Sequence, residues 1–191
     1  MKRYSGVVAA LNLIEEFLNT VDERSFSRHG QIHLGGEQLT SPGELADWLT
    51  DRDLADAGAP LGQADLASAI ALRTTLRQSL SGDVDAATAF AATAFAATAF
   101  VDYPLRLTPH RSGGLRLAAG SGKRWLDVIV ETVAASVGRG DWGRIKLCAA
   151  PDCRWAFHDT SRSGRGRWCD MNVCGNRHKT RTYRERHQQA T

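Results

Sequence analysis

The sequence predicts an α+β protein, mainly helical, with one small β-hairpin in its N-terminal body and a small four-cysteine zinc-finger module that ends in a basic helix. Three observations point there. Apolar residues recur at helical spacing in several capped segments, and one pair of alternating segments flanks a Gly-rich turn. All four cysteines of the chain fall between Cys148 and Cys174, just ahead of a run dense in arginine.

The elements follow in order. Val8, Leu11, Ile14, Phe17, Leu18 and Val21 predict a helix over 7–21. The polar, Gly-containing stretch 22–36 reads as a loop with a short strand near Gln31–Leu34. Ser41-Pro42-Gly43-Glu44 is a helix start, with Ser41 as N-cap, Pro42 in the first turn and Glu44 three residues after the cap. Leu45, Trp48 and Leu49 give that helix a buried face, and it should end near Gly58. A further helix is expected over 63–81, carried by Leu66, Ile70, Leu72, Leu76 and Leu80 and stopped by Gly82. Next, Thr-Ala-Phe-Ala-Ala stands twice in succession from Thr88, followed by Thr98-Ala99-Phe100. A period of five matches neither a helix nor a strand, and on a helix the phenylalanines would lie about 140° apart. Alanine content still favours a helix, read as a duplicated segment without a functional role. Tyr103–Leu107 and Leu115–Leu117, with Ser112-Gly113-Gly114 between them, predict the hairpin. Leu126, Ile129, Val130 and Val133 predict a last body helix over 125–137. Gly138, Gly140 and Gly143 then place a boundary near Asp141, dividing the chain into a body, 1–143, and a finger, 144–191.

The net charge of +3 conceals an asymmetry. Residues 1–143 carry 13 Lys/Arg and 17 Asp/Glu, and residues 144–191 carry 11 and 4. An acidic body with a basic end suggests a polyanion as partner. No signal peptide is recognisable, and the longest uncharged run, mostly Ala and Thr, is too weakly apolar to span a bilayer. The expected setting is cytoplasmic, with no membrane partner, where cysteines favour metal over disulfide.

The cysteines are spaced Cys148-x4-Cys153-x15-Cys169-x4-Cys174. Two close pairs separated by about fifteen residues is the layout of a structural zinc site, and four thiolates leave no open position for a reacting water. One structural Zn2+ per chain is therefore expected, on Cys148, Cys153, Cys169 and Cys174. Between the pairs, Trp155, Phe157 and Trp168 can pack around the metal, and Arg154, Arg162, Arg165 and Arg167 stand among Ser and Gly residues that let backbone N–H groups approach phosphates. After Cys174, Arg177, Arg181 and Arg184 fall on one helical face, with Lys179 and Arg186 roughly opposite and Tyr183 the main apolar contact. A helix basic on nearly all sides suits phosphates or a major groove better than a core. These nine basic residues are the candidate nucleic-acid contacts.

At these residues the chain resembles the bacterial CGNR zinc-finger family. The name motif stands as Cys174-Gly175-Asn176-Arg177, in register with Cys148-x4-Cys153, Asp159-Thr160-Ser161-Arg162 and Arg167-Trp168-Cys169. The body resembles the domain that usually precedes this finger, described as a stress-induced transcription regulator, through Leu18-Asn19-Thr20-Val21-Asp22, Ser41-Pro42-Gly43-Glu44-Leu45 and Gly114-Leu115-Arg116-Leu117. The Ala/Thr/Phe repeat departs from the family pattern. The resemblance implies a zinc-bound, DNA-binding transcriptional regulator. Double-stranded DNA is the favoured partner, with homodimerisation or a small-molecule effector as roles for the body. RNA binding and a zinc-scaffolded protein adaptor are the competing readings. No nucleophile motif, Gly-rich phosphate loop or paired acid/base signature stands in the body, so no catalytic residue is assigned and no enzyme is expected. His29, His33 and Glu37 form a loose cluster read as surface loop.

Overall fold

The computed structural model describes residues 6–28, 30–81 and 103–188. The Thr-Ala-Phe-Ala-Ala repeat and His29 lie outside them. The body is built on α1 (Val7–Leu18), α2 (Pro42–Thr50), α3 (Gln63–Ser79) and α4 (Arg124–Gly138). Between α1 and α2 two ribbons are nested: β1 (Val21–Asp22) pairs antiparallel with β4 (Gly36–Glu37), and inside them β2 (Ser27–Arg28) pairs with β3 (Gln31–Ile32). Val21, expected in the first helix, is thus its first strand residue. The helix stops at Asn19, whose neighbour Thr20 returns its hydroxyl to the Phe17 carbonyl, 2.9 Å.

α2 starts as its sequence dictates. Ser41 Oγ accepts the Glu44 N–H at 3.2 Å, and the Glu44 carboxylate accepts the Thr40 N–H at 2.8 Å. It ends at Thr50, earlier than Gly58, in a turn where Asp53 takes a left-handed φ of 55°. The hairpin forms as predicted, β5 (Leu105–Pro109) with β6 (Leu115–Ala119), Leu107 opposite Leu117. β6 lies along α4, with Ala119 packed against the core and its N–H on Glu131, while Leu107 and Leu115 are each 68 % exposed.

One core gathers the inner faces of all four helices: Leu13, Ile14, Phe17 and Leu18 of α1, Leu45 and Leu49 of α2, Leu72 and Leu76 of α3, Leu126 and Ile129 of α4. α3 also turns two charges inward. Arg73 and Arg77, one helical turn apart, are 3 % and 6 % exposed. Arg73 grips Glu37 through both terminal nitrogens, at 2.7 and 2.5 Å, and Thr20 Oγ1 at 2.8 Å. Glu37 thereby leaves the loose His29/His33/Glu37 cluster, and His33 stacks on Phe26 with ring centroids 4.7 Å apart.

The expected boundary near Asp141 coincides with a short 3-10 turn, Asp141–Arg144. Packing crosses it. β7 (Ile145–Leu147) and β8 (Ala156–His158) form an antiparallel ribbon, and Ile145, Leu147 and Ala156 belong to the main core. The Asn19 amide donates to the Ala156 carbonyl and accepts the Ala156 N–H, both at 2.8 Å. Arg77 donates to the Leu18 and Arg154 carbonyls, at 3.0 and 2.9 Å.

Two predictions follow from this interlock. Asn19→Ala leaves two buried backbone groups unpaired, at a cost of about 2–3 kcal/mol, read as a lower urea midpoint at unchanged slope. A fragment ending at Gly143 exposes the core face that Ile145, Leu147 and Ala156 cover. It should unfold well below the full chain in a thermal melt; an unchanged midpoint would show that the body folds independently.

Candidate metal centre and basic surface

The first cysteine pair sits on the turn that follows β7. Cys148 donates its N–H to the Trp155 carbonyl, 2.9 Å, and Cys153 donates to the Ala150 carbonyl, 2.9 Å, closing a tight turn. Arg154 leaves that turn with a left-handed φ of 53°. The second pair brackets one π turn, Met171–Gly175, capped by Asp170, whose carboxylate accepts the N–H groups of Asn172 and Val173. α5 (Asn176–Gln188) continues directly from it.

The four Sγ atoms lie within 4.8 Å of one another, Cys153 and Cys169 at 3.7 Å, Cys169 and Cys174 at 3.8 Å. Sulfurs on a tetrahedron of Zn–S bonds near 2.3 Å stand about 3.8 Å apart, so the donor set fits one zinc ion with every position filled by protein. The electrostatics agree. Hydrogen bonds from Cys153 and Cys169 pull the Cys148 thiol down to about 2. Its contacts with Cys148 and Cys153 push Cys169 up, and burial together with the Cys148 thiolate pushes Cys174 up to about 12. One thiolate thus forms at the expense of the others until a cation joins them. Zinc would supply that cation and the folding energy of the module, and no reaction step is assigned to it.

Residues from both halves of the chain wrap the sulfurs. Phe26, from the body, joins Ala150 and the three buried cysteines in a second small core, with Trp155, Trp168 and Val173 around it. Arg24 lies over the Trp155 ring at 4.1 Å, and the Ser25 N–H reaches the Asp152 carbonyl. Phe157, expected beside the metal, is buried but is not in this cluster. Phe26 escaped the sequence reading because it stands in a polar stretch and more than a hundred residues separate it from the cysteines.

The name motif has a physical role at each position. Gly175 leaves room for its neighbours' side chains: a Cβ there would stand 2.5 Å from Met171 Sδ and 3.3 Å from Trp168 Cδ1. Asn176 begins α5 and donates to the Asn172 carbonyl at 3.3 Å. Arg177 pairs with Asp152, covers the Phe26 ring at 3.7 Å, and brings Nη1 to 3.9 Å from Cys174 Sγ.

The loop between the pairs is ordered by one carboxylate. Asp159, 4 % exposed, accepts the Ser161 and Gly166 N–H groups at 3.0 and 2.7 Å and Lys146 Nζ at 2.7 Å. Burial alone would raise its pKa, but these donors win and hold it well below the ordinary carboxylate range. A Cβ on Gly166 would fall 2.7 Å from the Asp159 carboxylate, so only glycine lets the loop close on it. Arg144 adds a 2.5 Å bond to the Ser161 carbonyl.

The basic residues divide accordingly. Arg154 and Arg177, grouped by sequence with the nucleic-acid contacts, are half-buried and engaged within the molecule, Arg154 through Ser81 Oγ at 2.7 Å. Arg162, Arg165, Arg167, Lys179, Arg181, Arg184 and Arg186 are exposed. Arg181 and Arg184 line a groove of about 700 Å³ beside the π turn. Arg28 of the body, unremarked in the sequence, lines it too and reaches the Asn172 carbonyl at 3.5 Å. Tyr183 does not anchor α5. It is 62 % exposed and stacks only on His187, and α5 buries no residue.

Residues 11–140 match the family described as "Putative stress-induced transcription regulator" (ABATE), and residues 144–187 match the CGNR zinc finger. The chain belongs to the ABATE family and carries a CGNR zinc finger. No curated protein sequence matches it. Among the described residues no helix is long and apolar enough to cross a membrane.

Elemental analysis of reduced protein should give about one zinc per chain. Cys174→Ser should lose it and collapse the second core. Arg177→Gln should weaken zinc retention about tenfold against a competing chelator, the scale of outer-shell substitutions. Asp159→Ala, which strands Lys146 and two loop amides, should cost about 3 kcal/mol in zinc-saturated protein at neutral pH.

Proposed function

We propose that the protein is a DNA-binding transcriptional regulator in which zinc holds α5 and the Arg162–Arg167 loop as one basic surface. The single observation that carries this reading is that α5 is anchored only through its first turn. Beyond it, Lys179, Arg181, Arg184 and Arg186 project from about three helical turns against the one carboxylate of Glu185. The Arg181–Glu185 pair at 3.9 Å is solvent-exposed and neutralises little. Beyond the contacts of Arg177 and His178 no packing role explains the composition of this helix, whereas a phosphate backbone does.

Duplex DNA is favoured over single-stranded RNA by the fate of the aromatics. Single strands are held by stacking bases on exposed rings. Here Trp155 is covered by Arg24, Trp168 stacks on His178 at 4.8 Å and Phe157 is buried, which leaves Tyr183 as the one exposed Trp, Tyr or Phe ring of the finger, too few for a stacking platform. The body, residues 1–143, serves in this reading as the regulatory part, with Arg28 extending the basic groove. Neither matched family is an enzyme type by description, and no reaction is assigned.

Mobility shifts of the zinc-loaded chain on random and selected duplexes, with RNA as competitor, test the proposal. Arg165→Ala should weaken binding to all duplexes alike and lower the salt slope by about one unit. Arg181→Ala and Arg184→Ala should include the substitution that costs about 1–3 kcal/mol on a selected site and less on random DNA. Equal losses on both would leave a non-specific electrostatic clamp. Preference for the RNA competitor would overturn the DNA reading.

A further inference from the structure

A second basic site lies away from α5, where the body meets the turn after Cys153. A cleft of about 260 Å³ is lined by Arg73, Arg77 and Arg154, with Gln78 and Ser81 beside them. Three guanidinium groups are gathered there, and the two on α3 are almost wholly buried. Buried cations ordinarily come with matched anions. Two carboxylates answer these three. Glu37 takes Arg73, and Glu23, itself 45 % exposed, reaches Arg77 at 3.0 Å. Among the described residues no carboxylate pairs with Arg154, whose side-chain partner is the Ser81 hydroxyl. Arg73 keeps its buried Nε without an acceptor. Among the described residues the cluster therefore holds one positive charge more than its carboxylates balance, within a concave wall that also offers a hydroxyl and an amide.

We propose that this cleft binds a small phosphoryl-bearing anion. Guanidinium groups pair with tetrahedral oxyanions through charge-assisted N–H···O bonds. Here the Arg154 guanidinium, bonded to the Ser81 hydroxyl, and the unpartnered Arg73 Nε are the donors left for one, while Arg77, engaged by Leu18, Arg154 and Glu23, adds its charge. Its position gives the site a consequence. Arg77 donates to the carbonyl of Arg154, and Arg154 follows the zinc ligand Cys153 in a left-handed conformation. An anion bridging α3 to Arg154 ties the body to the turn that carries the first cysteine pair, so its occupancy is felt at the finger. The proposal goes beyond the nucleic-acid reading and stands without it, since the cleft shares no residue with the α5 groove.

The test is calorimetric titration of the zinc-loaded full chain with inorganic phosphate, then with a sugar phosphate, against chloride at matched ionic strength. Arg154→Asn removes the guanidinium with a residue that accepts the left-handed backbone. Ser81→Asp instead supplies the missing carboxylate and satisfies Arg154 in place. The expected result is saturable binding of one phosphate per chain, weakened roughly tenfold or more by either variant and retained by the Arg181→Ala/Arg184→Ala double variant. A sugar phosphate binding more tightly than phosphate would mark an organic effector as the occupant. Equal affinity would mark the free anion. Absence of saturable binding, unchanged affinity in both cleft variants, or loss only in the α5 double variant would overturn the proposal.

Discussion

Four thiolates within 4.8 Å of one another are mutually repulsive without a cation, and most of the C-terminal architecture depends on that constraint. The sulfurs join two turns that have little else in common. One, Cys148–Cys153, hangs from the β7–β8 ribbon; the other, Cys169–Cys174, launches α5. Because α5 buries no side chain of its own, its direction is inherited from Cys174, Gly175 and Arg177 at its base. The basic face is thus aimed by metal geometry rather than by helix packing.

The module is not a bead on a string. Its first ribbon completes the main core through Ile145, Leu147 and Ala156, and its second core is completed by Phe26 from the body. Each half supplies apolar surface the other needs, and Asn19 fixes their register with a reciprocal pair of hydrogen bonds. A conformational change in the body therefore has a mechanical route to the cysteines, through Arg77, Arg154 and the nested ribbon that carries Arg24, Phe26 and Arg28.

What could be read from the sequence was local. Cysteine spacing picked out four residues whose sulfurs the fold brings together, and Ser41-Pro42-Gly43-Glu44 located the start of α2 to the residue. The alternation around Ser112-Gly113-Gly114 located the hairpin. What escaped was long-range or chemically atypical. Asn19 carries no periodic signal that it meets Ala156, 137 residues away. Arg73 and Arg77 carry no signal of burial in their charge, yet they are buried, because Glu37 and backbone carbonyls receive them. Arg177 has the same charge as Arg181 and lies on the same helical face. Only the positions of Asp152 and Phe26 show that it braces the finger.

The Asn19–Ala156 clasp also bears on how the chain is made. A contact that closes a loop of this length carries a large closure entropy and contributes late to folding. During synthesis α1 emerges ahead of the finger, and the Asn19 amide at its end waits for Ala156, some 140 residues later. At the usual pace of translation that is a wait of roughly ten to thirty seconds. Throughout it, the surface of α1 that β8 will cover stays open to chaperones. Closure of the main core thus waits on the same stretch of chain that carries the first cysteine pair, so the ribbon that completes the core and the first two sulfurs arrive together.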